Sequence, residues 1–198
     1  MQKLLIATTN EGKIKEINDS YKDLEIELIE LRKIVNEDFK VKETGHTFED
    51  NAVIKAKEYA KKSKMITLAE DSGIDIDCLE GKLGIYSARF LKGKTDEEKN
   101  QIILNMMKKV PKAKRTARFR VAIAIAAPNK KVEVIEAISE GTISSQAKGD
   151  NGFGYDEIFI PKGSRRTYAQ FSINEKNKKS FRAAALARAR KILKGFMK

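Results

Sequence analysis

The residues most able to do chemistry are four carboxylates in the stretch LAEDSGIDID, at positions 68–77. They are Glu70, Asp71, Asp75 and Asp77. Carboxylate oxygens are the hard ligands that Mg²⁺ prefers, and the ion usually takes one or two of them together with phosphate groups of a substrate. Asp75 and Asp77 alternate with isoleucines, so we expect these two to face solvent along a strand. Glu70 and Asp71 are then the acids available for a metal site.

Asp71 and Ser72 follow Met65–Ala69, a short apolar run that predicts a buried strand. Sites in α/β proteins lie at the carboxyl ends of such strands, so we expect both side chains to emerge there, with Gly73 forming a tight turn. Glu43, in the upstream segment VKETGHTF, is the candidate for a second metal ligand. The alternative is that some of these acids cap a turn or pair with lysines.

A second candidate site follows the first apolar run, in ATTNEGKIKEI at residues 7–17. The backbone N–H groups at the start of a helix favour anions, and Thr8, Thr9 and Asn10 can add hydrogen-bond donors. Lys13 would neutralise a phosphate charge. The spacing of a Walker A loop is absent, and an ordinary strand–turn–helix connection is the alternative.

The third candidate is GDNGFGYDEIFIP, at residues 149–161. Its glycines leave little side-chain bulk, so a flat ligand could approach the backbone. Phe153 or Tyr155 could stack on a base, and Asp156 could accept a hydrogen bond from an N–H edge. A glycine-rich hairpin loop without a ligand is the alternative.

The charge of the chain allows two kinds of partner. Among its 198 residues, 40 are Lys or Arg and 28 are Asp or Glu, which gives a formal net charge of +12. Such a charge fits nucleic-acid binding or attraction of small polyanions such as triphosphates. The lysines are spread along the sequence, which also fits an ordinary solvated surface. His46 is the only histidine, so a catalytic triad or a His-based zinc site is poorly supported.

Two features concern the compartment. Cys78 is the only cysteine and cannot form an internal disulfide, which fits a reducing cytoplasm. The apolar run near the N-terminus is too short for a signal peptide or a membrane span. We therefore expect a cytoplasmic protein with no membrane partner.

Alternating apolar runs and helical patterns predict an α/β fold. Strands are predicted at Leu4–Ala7, Leu24–Leu31, Met65–Ala69 and Glu157–Ile160, with a long antiparallel hairpin formed by Arg115–Ala127 and Val132–Ile138. Helices are predicted at Lys13–Tyr21 and Ser180–Phe196, and after two capping boxes at Thr47/Asp50 and Thr95/Glu98, the second continuing through Ile103, Met106 and Val110. We expect a long mixed twisted sheet with flanking helices, in a single domain spanning residues 1–198.

Six motifs in order carry a resemblance to a known family: TTNEGK, ETGHTFEDNAVIKA, AEDSG, GIYSARF, GFGYDEIFIP and EKNKKSFRAAAL. Together they closely resemble the inosine triphosphate pyrophosphatase family, from Leu4 to about Leu193. The resemblance implies hydrolysis of ITP, dITP and XTP to the monophosphate plus pyrophosphate, a requirement for Mg²⁺, and a homodimer. It also implies a long mixed sheet with two lobes around a central cleft.

The resemblance gives particular residues a role. Asp71 would be a metal ligand and the proton acceptor, and Glu43 a second metal ligand. The substrate would be bound by a larger set: Thr8, Thr9, Asn10, Glu11, Gly12, Lys13, Ser72, Phe153, Gly154, Tyr155, Asp156, Lys176, Phe181 and Arg182. Of these, the segment 8–13 would grip the triphosphate, and residues 153–156 would line the nucleoside pocket. Arg89, in GIYSARF, is a further candidate near the phosphates.

Two positions depart from the family's pattern. Phe181 stands where the family usually has histidine, and a phenyl ring can stack on a base but cannot hydrogen-bond to it. Lys42 precedes Glu43 where many members have an acid.

The implied reaction is attack of water on the α-phosphorus, with Mg²⁺ screening the phosphate charge. Asp71 or a neighbour such as Glu70 would orient the water. A donor such as Arg182, or a backbone N–H, would favour the 6-oxo group of hypoxanthine and xanthine over the amino group of adenine. The alternatives are a pyrophosphatase for modified pyrimidine nucleotides and a non-enzymatic nucleic-acid-binding protein; the resemblance itself implies no nucleic-acid partner.

Overall fold

The computed structural model describes residues 2–34 and 40–197, which fall into two compact units. The first unit comprises Met1–Asp71, Val121–Ala137 and Arg182–Lys198, and the second comprises Ser72–Arg120 and Ile138–Phe181. The chain therefore passes from one unit to the other several times. That it works as one domain, with a cleft between two lobes, stays a prediction.

One mixed sheet contains all six described strands, in the order β2-β1-β3-β4-β5-β6. Their bounds are Gln2–Ile6 (β1), Ile26–Glu30 (β2), Ile66–Ile76 (β3), Thr116–Ala126 (β4), Glu133–Ile143 (β5) and Phe159–Pro161 (β6). Strand β1 pairs in parallel with β2 and β3, whereas β5 and β6 are antiparallel. The predicted α/β class with a mixed sheet is confirmed.

Five α-helices accompany the sheet in the described part of the chain: Glu11–Tyr21 (α1), Phe48–Ser63 (α2), Asp96–Met106 (α3), Ile173–Lys179 (α4) and Phe181–Phe196 (α5). Both predicted capping boxes are present, at the starts of α2 and α3. Helix α4 was not predicted, although Ser172 and Glu175 form a capping box with the same spacing. Within the described ranges, none of these helices has the length and apolar character that crossing a membrane requires.

The core of the first unit contains β1 and one face of α1. Leu4, Leu5 and Ile6 are fully buried, and Ile17 and Tyr21 on α1 are buried as well. The Tyr21 hydroxyl donates to the backbone oxygen of Leu186 on α5 at 3.2 Å. This contact holds the last turn of α1 against α5, and α1 begins a few residues after β1 ends.

The predicted hairpin is confirmed, since β4 and β5 are neighbours in the sheet and are joined by a short turn. Strand β5 continues to Ile143, beyond the predicted end at Ile138. The Lys130 N–H donates to the Ala127 carbonyl at 3.2 Å, and Asn129 has φ of 62°. Pro128 pre-sets the preceding position, and asparagine tolerates a positive φ, which together suit a type II turn.

Strand β3 corrects one prediction about the acidic stretch. It runs from Ile66 to Ile76, so Asp71 and Ser72 lie inside the strand rather than beyond its end. Within β3, the residues that pair with β1 are Ile66–Leu68, so Asp71 lies past the end of β1 but not past the end of β3. Burial of alternate apolar residues in the second half of β3 keeps that half extended.

Gly73 is likewise a strand residue and not a turn. A Cβ at this position would meet the Gly84 carbonyl oxygen and would lie 2.6 Å from Ser87 Oγ. Ser87 Oγ also accepts from the Ile74 N–H at 3.0 Å. Glycine is needed here because another segment packs directly against the strand backbone.

Smaller corrections concern element ends. Helix α3 ends at Met106, which is exposed, so Val110 lies outside it and Met107 is buried instead. Pro111 disfavours a helical backbone at Val110, the residue before it, which is consistent with the earlier end of α3. On α5, Leu193 is buried, whereas the apolar Ile192 beside it is only half-buried. Strand β6 begins at Phe159 and includes Pro161.

Candidate active site

The first unit contains a buried group of charges around Glu70. We call Lys13, Glu16, Glu70 and Arg182 the Glu70 cluster. Lys13 Nζ lies 3.0 Å from Glu70 Oε1, and Arg182 Nε donates to Glu70 Oε2 at 2.9 Å. Arg182 Nη1 donates to Glu16 Oε2 at 2.7 Å. The Arg182 guanidinium is therefore shared between two carboxylates.

Burial and pairing shift the pKa values of the Glu70 cluster in different directions. Burial alone would raise the pKa of Glu70, but Arg182 and Lys13 outweigh it and lower that pKa to about 2. Burial lowers the pKa of the Lys13 ammonium, although Glu70 opposes the change. Burial also disfavours the Arg182 charge, but Glu70 and Glu16 raise its pKa above the usual value. Glu70 is consequently ionised at neutral pH and is a weak proton acceptor.

Asp71, the next residue, is held by side chains from α2. Asn51 Nδ2 donates to Asp71 Oδ2 at 3.0 Å, and Asn51 Oδ1 accepts from the Gly45 N–H at 2.9 Å. A Cβ on Gly45 would lie 2.8 Å from Asn51 Oδ1, so this contact requires glycine. The loop before α2 and the helix itself therefore fix one oxygen of the Asp71 carboxylate.

Lys55 links Asp71 to the second candidate metal ligand. Its ammonium lies 2.6 Å from Glu43 Oε1, 3.8 Å from Asp71 Oδ1 and 2.8 Å from the backbone oxygen of Glu70. Two carboxylates that are 28 positions apart in the chain thus converge on one cation. Burial raises the pKa of Asp71, Glu43 adds to this, and Lys55 and Lys13 oppose it.

The donor set around Asp71 fits Mg²⁺. Asp71 and Glu43 offer hard oxygens that already converge on a positive charge. Residues 2–34 and 40–197 contain no group of three or more His, Cys, Asp or Glu side chains that could hold a metal ion by themselves. Mg²⁺ commonly takes one or two protein carboxylates and completes its shell with water and substrate phosphates.

The predicted phosphate-binding segment lies at the N-terminus of α1. Asn10 caps the helix, because its Oδ1 accepts from the Lys13 N–H at 3.0 Å, and Thr8 Oγ1 accepts from the Asn10 N–H at 3.2 Å. Thr9 is exposed, Gly12 is half-buried, and Glu11 pairs on the surface with Arg32 at 2.6 Å. The start of a helix therefore lies directly before the lysine that pairs with Glu70.

The second unit contains the glycine-rich segment. Asp156 pairs with the Lys176 ammonium, and the same Oδ2 accepts from the Phe153 N–H at 2.9 Å. The ammonium also lies 4.7 Å from the centre of the Phe153 ring. A Cβ on Gly152, where φ is +84°, would meet the Asp156 carboxylate. These contacts fix the backbone before Gly154 and leave the Phe153 ring partly exposed.

Tyr155 and Phe181 are less available to a ligand than Phe153. Tyr155 is 7% exposed, and its hydroxyl donates to the Ser87 carbonyl at 2.6 Å; burial raises the pKa of this hydroxyl. Phe181 is 4% exposed and stacks on Phe119, with ring centres 4.8 Å apart and planes at 5°. Both rings pack inside the second unit, which identifies a structural use for each.

The remaining predicted residues belong to the second unit. Ser72 is half-buried in β3, and exposed Arg89 has its guanidinium carbon 5.7 Å from the centre of the Tyr86 ring. Asp77 is exposed as predicted, but it begins a short 3-10 helix and pairs with Arg118 at 2.6 Å.

Sequence reasoning missed three residues in the first unit: Glu16, Asn51 and Lys55. Asn51 and Lys55 are four residues apart in the helix that follows a recognised capping box, so the sequence did place both on one helix face. Asn51 and Lys55 are polar residues beside the apolar Ala52 and Ala56, and this pattern could have marked them as site residues. No local pattern marked Glu16, whose partner Arg182 is 166 residues away.

Comparison with known proteins supports an assignment to a family. The Ham1 family model matches residues 4–192. The chain is 40% identical over 194 residues to the dITP/XTP pyrophosphatase of Bacillus subtilis, covering 98% of each. It matches the structure of the Staphylococcus aureus Ham1 protein with a TM-score of 0.84 at 34% identity, covering 98% of this chain and 99% of that one. For a HAM1 protein from Coxiella burnetii the TM-score is 0.85 at 33% identity, with 98% and 100% covered.

A mixed α/β fold with a cluster of carboxylates and lysines is typical of enzymes that act on phosphorylated substrates. The chain belongs to the Ham1 family, and the resemblance found in its six motifs is confirmed.

Proposed function

We propose that this protein hydrolyses non-standard purine nucleoside triphosphates, namely ITP, dITP and XTP, to the monophosphate and pyrophosphate, with Mg²⁺ as cofactor. The observation that carries the proposal is the convergence of Asp71 and Glu43 on Lys55, next to the Lys13–Glu70 pair. Such a set offers oxygen ligands for a divalent ion and ammonium groups for phosphate.

The class of enzyme follows from the family. The protein is a nucleoside-triphosphate pyrophosphatase, a hydrolase that serves to cleanse the nucleotide pool, as its relatives named dITP/XTP pyrophosphatase indicate. The choice of base, the metal and the residue roles are the proposed part.

Phosphate binding is assigned to the start of α1 and two lysines. Thr8, Thr9, Asn10 and the backbone N–H groups of Glu11 and Gly12 offer donors to phosphate oxygens. The Lys13 and Lys55 ammonium groups supply positive charge, and both are mostly buried, at 15% and 12% side-chain exposure. Charges shielded from water attract phosphate more strongly than exposed ones.

Asp71 and Glu43 would hold the Mg²⁺ ion, which when bound polarises the phosphoryl group and screens its charge. Asn51 keeps one Asp71 oxygen in a fixed direction. Lys55 orients the Glu43 carboxylate through their 2.6 Å contact.

Asp71 is also the better of the two candidates for orienting and deprotonating the attacking water. Pairing with Arg182 and Lys13 lowers the pKa of Glu70 to about 2, whereas burial raises the pKa of Asp71. A carboxylate with a raised pKa accepts a proton more readily. We assign Glu70 a supporting role, in which it fixes Lys13 and Arg182.

The second unit supplies residues for the nucleoside. The partly exposed Phe153 ring is the proposed stacking surface, with Gly154 beside it giving access to the backbone. Asp156 and Lys176 hold this segment through their mutual pair and the Phe153 N–H. On the strength of the family motifs, Ser72, Arg89, Tyr155 and Phe181 of this unit complete the proposed substrate set, together with Arg182 of the first unit.

We further propose that the enzyme works as a homodimer in the cytoplasm. The family resemblance supports the dimer, and the single exposed Cys78 suits a reducing compartment.

Release of pyrophosphate from ITP, dITP, XTP, dUTP and ATP, each with Mg²⁺ and with excess chelator, tests the proposal. We expect turnover of the first three, little of dUTP and ATP, and loss of activity with chelator. Preference for dUTP would favour the pyrimidine alternative. DNA binding with a steep salt dependence and no turnover of any nucleotide would favour a binding protein.

A further inference from the structure

Two side chains of helix α3, in the second unit, form hydrogen bonds with the backbone of Gly154. Asp96, at the first position of the helix, accepts a hydrogen bond from the Gly154 N–H at its Oδ2, at 2.7 Å. Asn100, one turn later, donates from Nδ2 to the Gly154 carbonyl at 3.0 Å. The two peptide groups on either side of the Gly154 Cα are therefore both bound by α3.

Gly154 needs such support because of its backbone conformation. Its φ is +65°, in the left-handed region that glycine enters without steric cost and from which it can also depart easily. Phe153 precedes it, with its own N–H bound by Asp156 at 2.9 Å. Bonds from Asp156, Asp96 and Asn100 thus hold the backbone that carries the Phe153 ring.

Asn100 has a side chain that packing alone does not explain. It is fully buried, and its Nδ2 also donates to Glu157 Oε2 at 3.1 Å. Its Oδ1 is buried and has no hydrogen-bond partner among residues 2–34 and 40–197. An apolar residue would avoid the cost of an unpartnered acceptor. The amide is therefore best explained by the two acceptors that it holds.

We propose that Asp96 and Asn100 are positioning residues, which set the orientation of Phe153 for the base of the nucleotide. This inference rests on the proposed function, because it assumes that Phe153 stacks on that base. We assign neither residue a contact of its own with base or phosphate. Their loss should weaken the binding of nucleotides while leaving the binding of bare polyphosphate unchanged.

The test compares Asp96→Ala, Asp96→Asn and the matched control Glu97→Ala by KM and kcat for ITP. Glu97 is exposed and lies in the same first turn, so its removal reproduces the loss of a negative charge near the helix N-terminus. We expect Asp96→Ala to raise KM about tenfold, which is the effect of losing one hydrogen bond to a charged group. The value of kcat should change less than about twofold. Asp96→Asn keeps an acceptor oxygen and should restore most of the affinity, and Glu97→Ala should behave like the parent.

Inhibition by inorganic tripolyphosphate separates positioning from general damage. Its inhibition constant should be the same in the parent, Asp96→Ala and Asn100→Ala proteins, because the ion has no base. An equal rise of that constant and of KM would show a disturbed fold and overturn the inference, as would an unchanged KM in Asp96→Ala. Absence of ITP turnover by the parent protein would instead refute the proposed function, and the positioning role would fall with it.

Discussion

The Lys13 ammonium lies 3.0 Å from Oε1 of Glu70, whose side chain is completely buried. A lysine proposed to bind phosphate thus already has a carboxylate partner inside the protein. Arg182 supplies a second cation to the same carboxylate. Glu70 therefore fixes the direction of Lys13. Asp71, the next residue in the chain, instead contacts Asn51 and Lys55.

We predict that Glu70→Gln destabilises the protein in a pH-dependent way. The pKa of Glu70 is about 2 in the folded protein, whereas 4.5 is the reference value of an unperturbed glutamate. The contribution of ionised Glu70 to the free energy of unfolding is therefore complete above pH 4.5 and disappears as the pH falls towards 2. That shift corresponds to about 3 kcal/mol. Urea unfolding of parent and variant between pH 2 and 7 should show a difference that grows from nearly zero to this value.

Asp23→Asn is the control for the Glu70 variant. Asp23 pairs with Arg190 at 2.7 Å, but its side chain is 62% exposed, so solvent screens the pair. The urea midpoint of this variant should hardly change. A parent and a Glu70→Gln protein with the same stability at pH 7 would contradict a net stabilising role for the buried pairs.

We predict that Asp71→Asn abolishes turnover without unfolding the protein. Loss of the carboxylate removes the proposed metal ligand and proton acceptor, for which a fall of roughly a thousandfold in kcat is expected. Burial raises the pKa of Asp71, so the ionised form is disfavoured by folding and a neutral amide should not lower stability at pH 7. Steady-state kinetics and thermal unfolding measure both effects. Activity near that of the parent would remove Asp71 from the mechanism.

We predict that Lys55→Gln shifts the acid limb of the pH–rate profile to higher pH. The Lys55 charge opposes the effect of burial on Asp71, so removing it raises the Asp71 pKa further and delays ionisation as the pH increases. The profile of kcat/KM for ITP at constant Mg²⁺ concentration shows the shift. Lys57→Gln, exposed on the same helix, should leave the limb where it is. A limb unmoved by Lys55→Gln would mean that another group controls it.

We predict that Phe181→His lowers stability by about 2 kcal/mol, because it places imidazole nitrogens among packed aromatic rings. The parent ring stacks on Phe119 and lies 6.4 Å from Tyr168. Chemical denaturation measures the loss, and Phe181→Leu, which stays apolar, should lose less. A changed ratio of ITP to ATP turnover with unchanged stability would instead give residue 181 a direct contact with the base.

The sequence by itself determined the elements and their order. Apolar periodicity and two capping boxes located α1, α2, α3 and α5, because side-chain spacing and N-terminal capping are local properties. Six short motifs were enough to identify the family. The carboxylates at 70 and 71 could also be selected from the sequence, since they follow an apolar run in a basic chain.

Only the tertiary structure decided what those carboxylates do. Glu70 and Arg182 are 112 residues apart, and their contact depends on how β3 and α5 pack. Asp71 lies inside β3 because buried residues on both sides of it keep the strand extended. The sequence did not reveal this, since Gly73 predicted a turn at this point. The opposite pKa shifts of two adjacent acids arise from burial and from long-range partners, and these are set by the packing of distant segments.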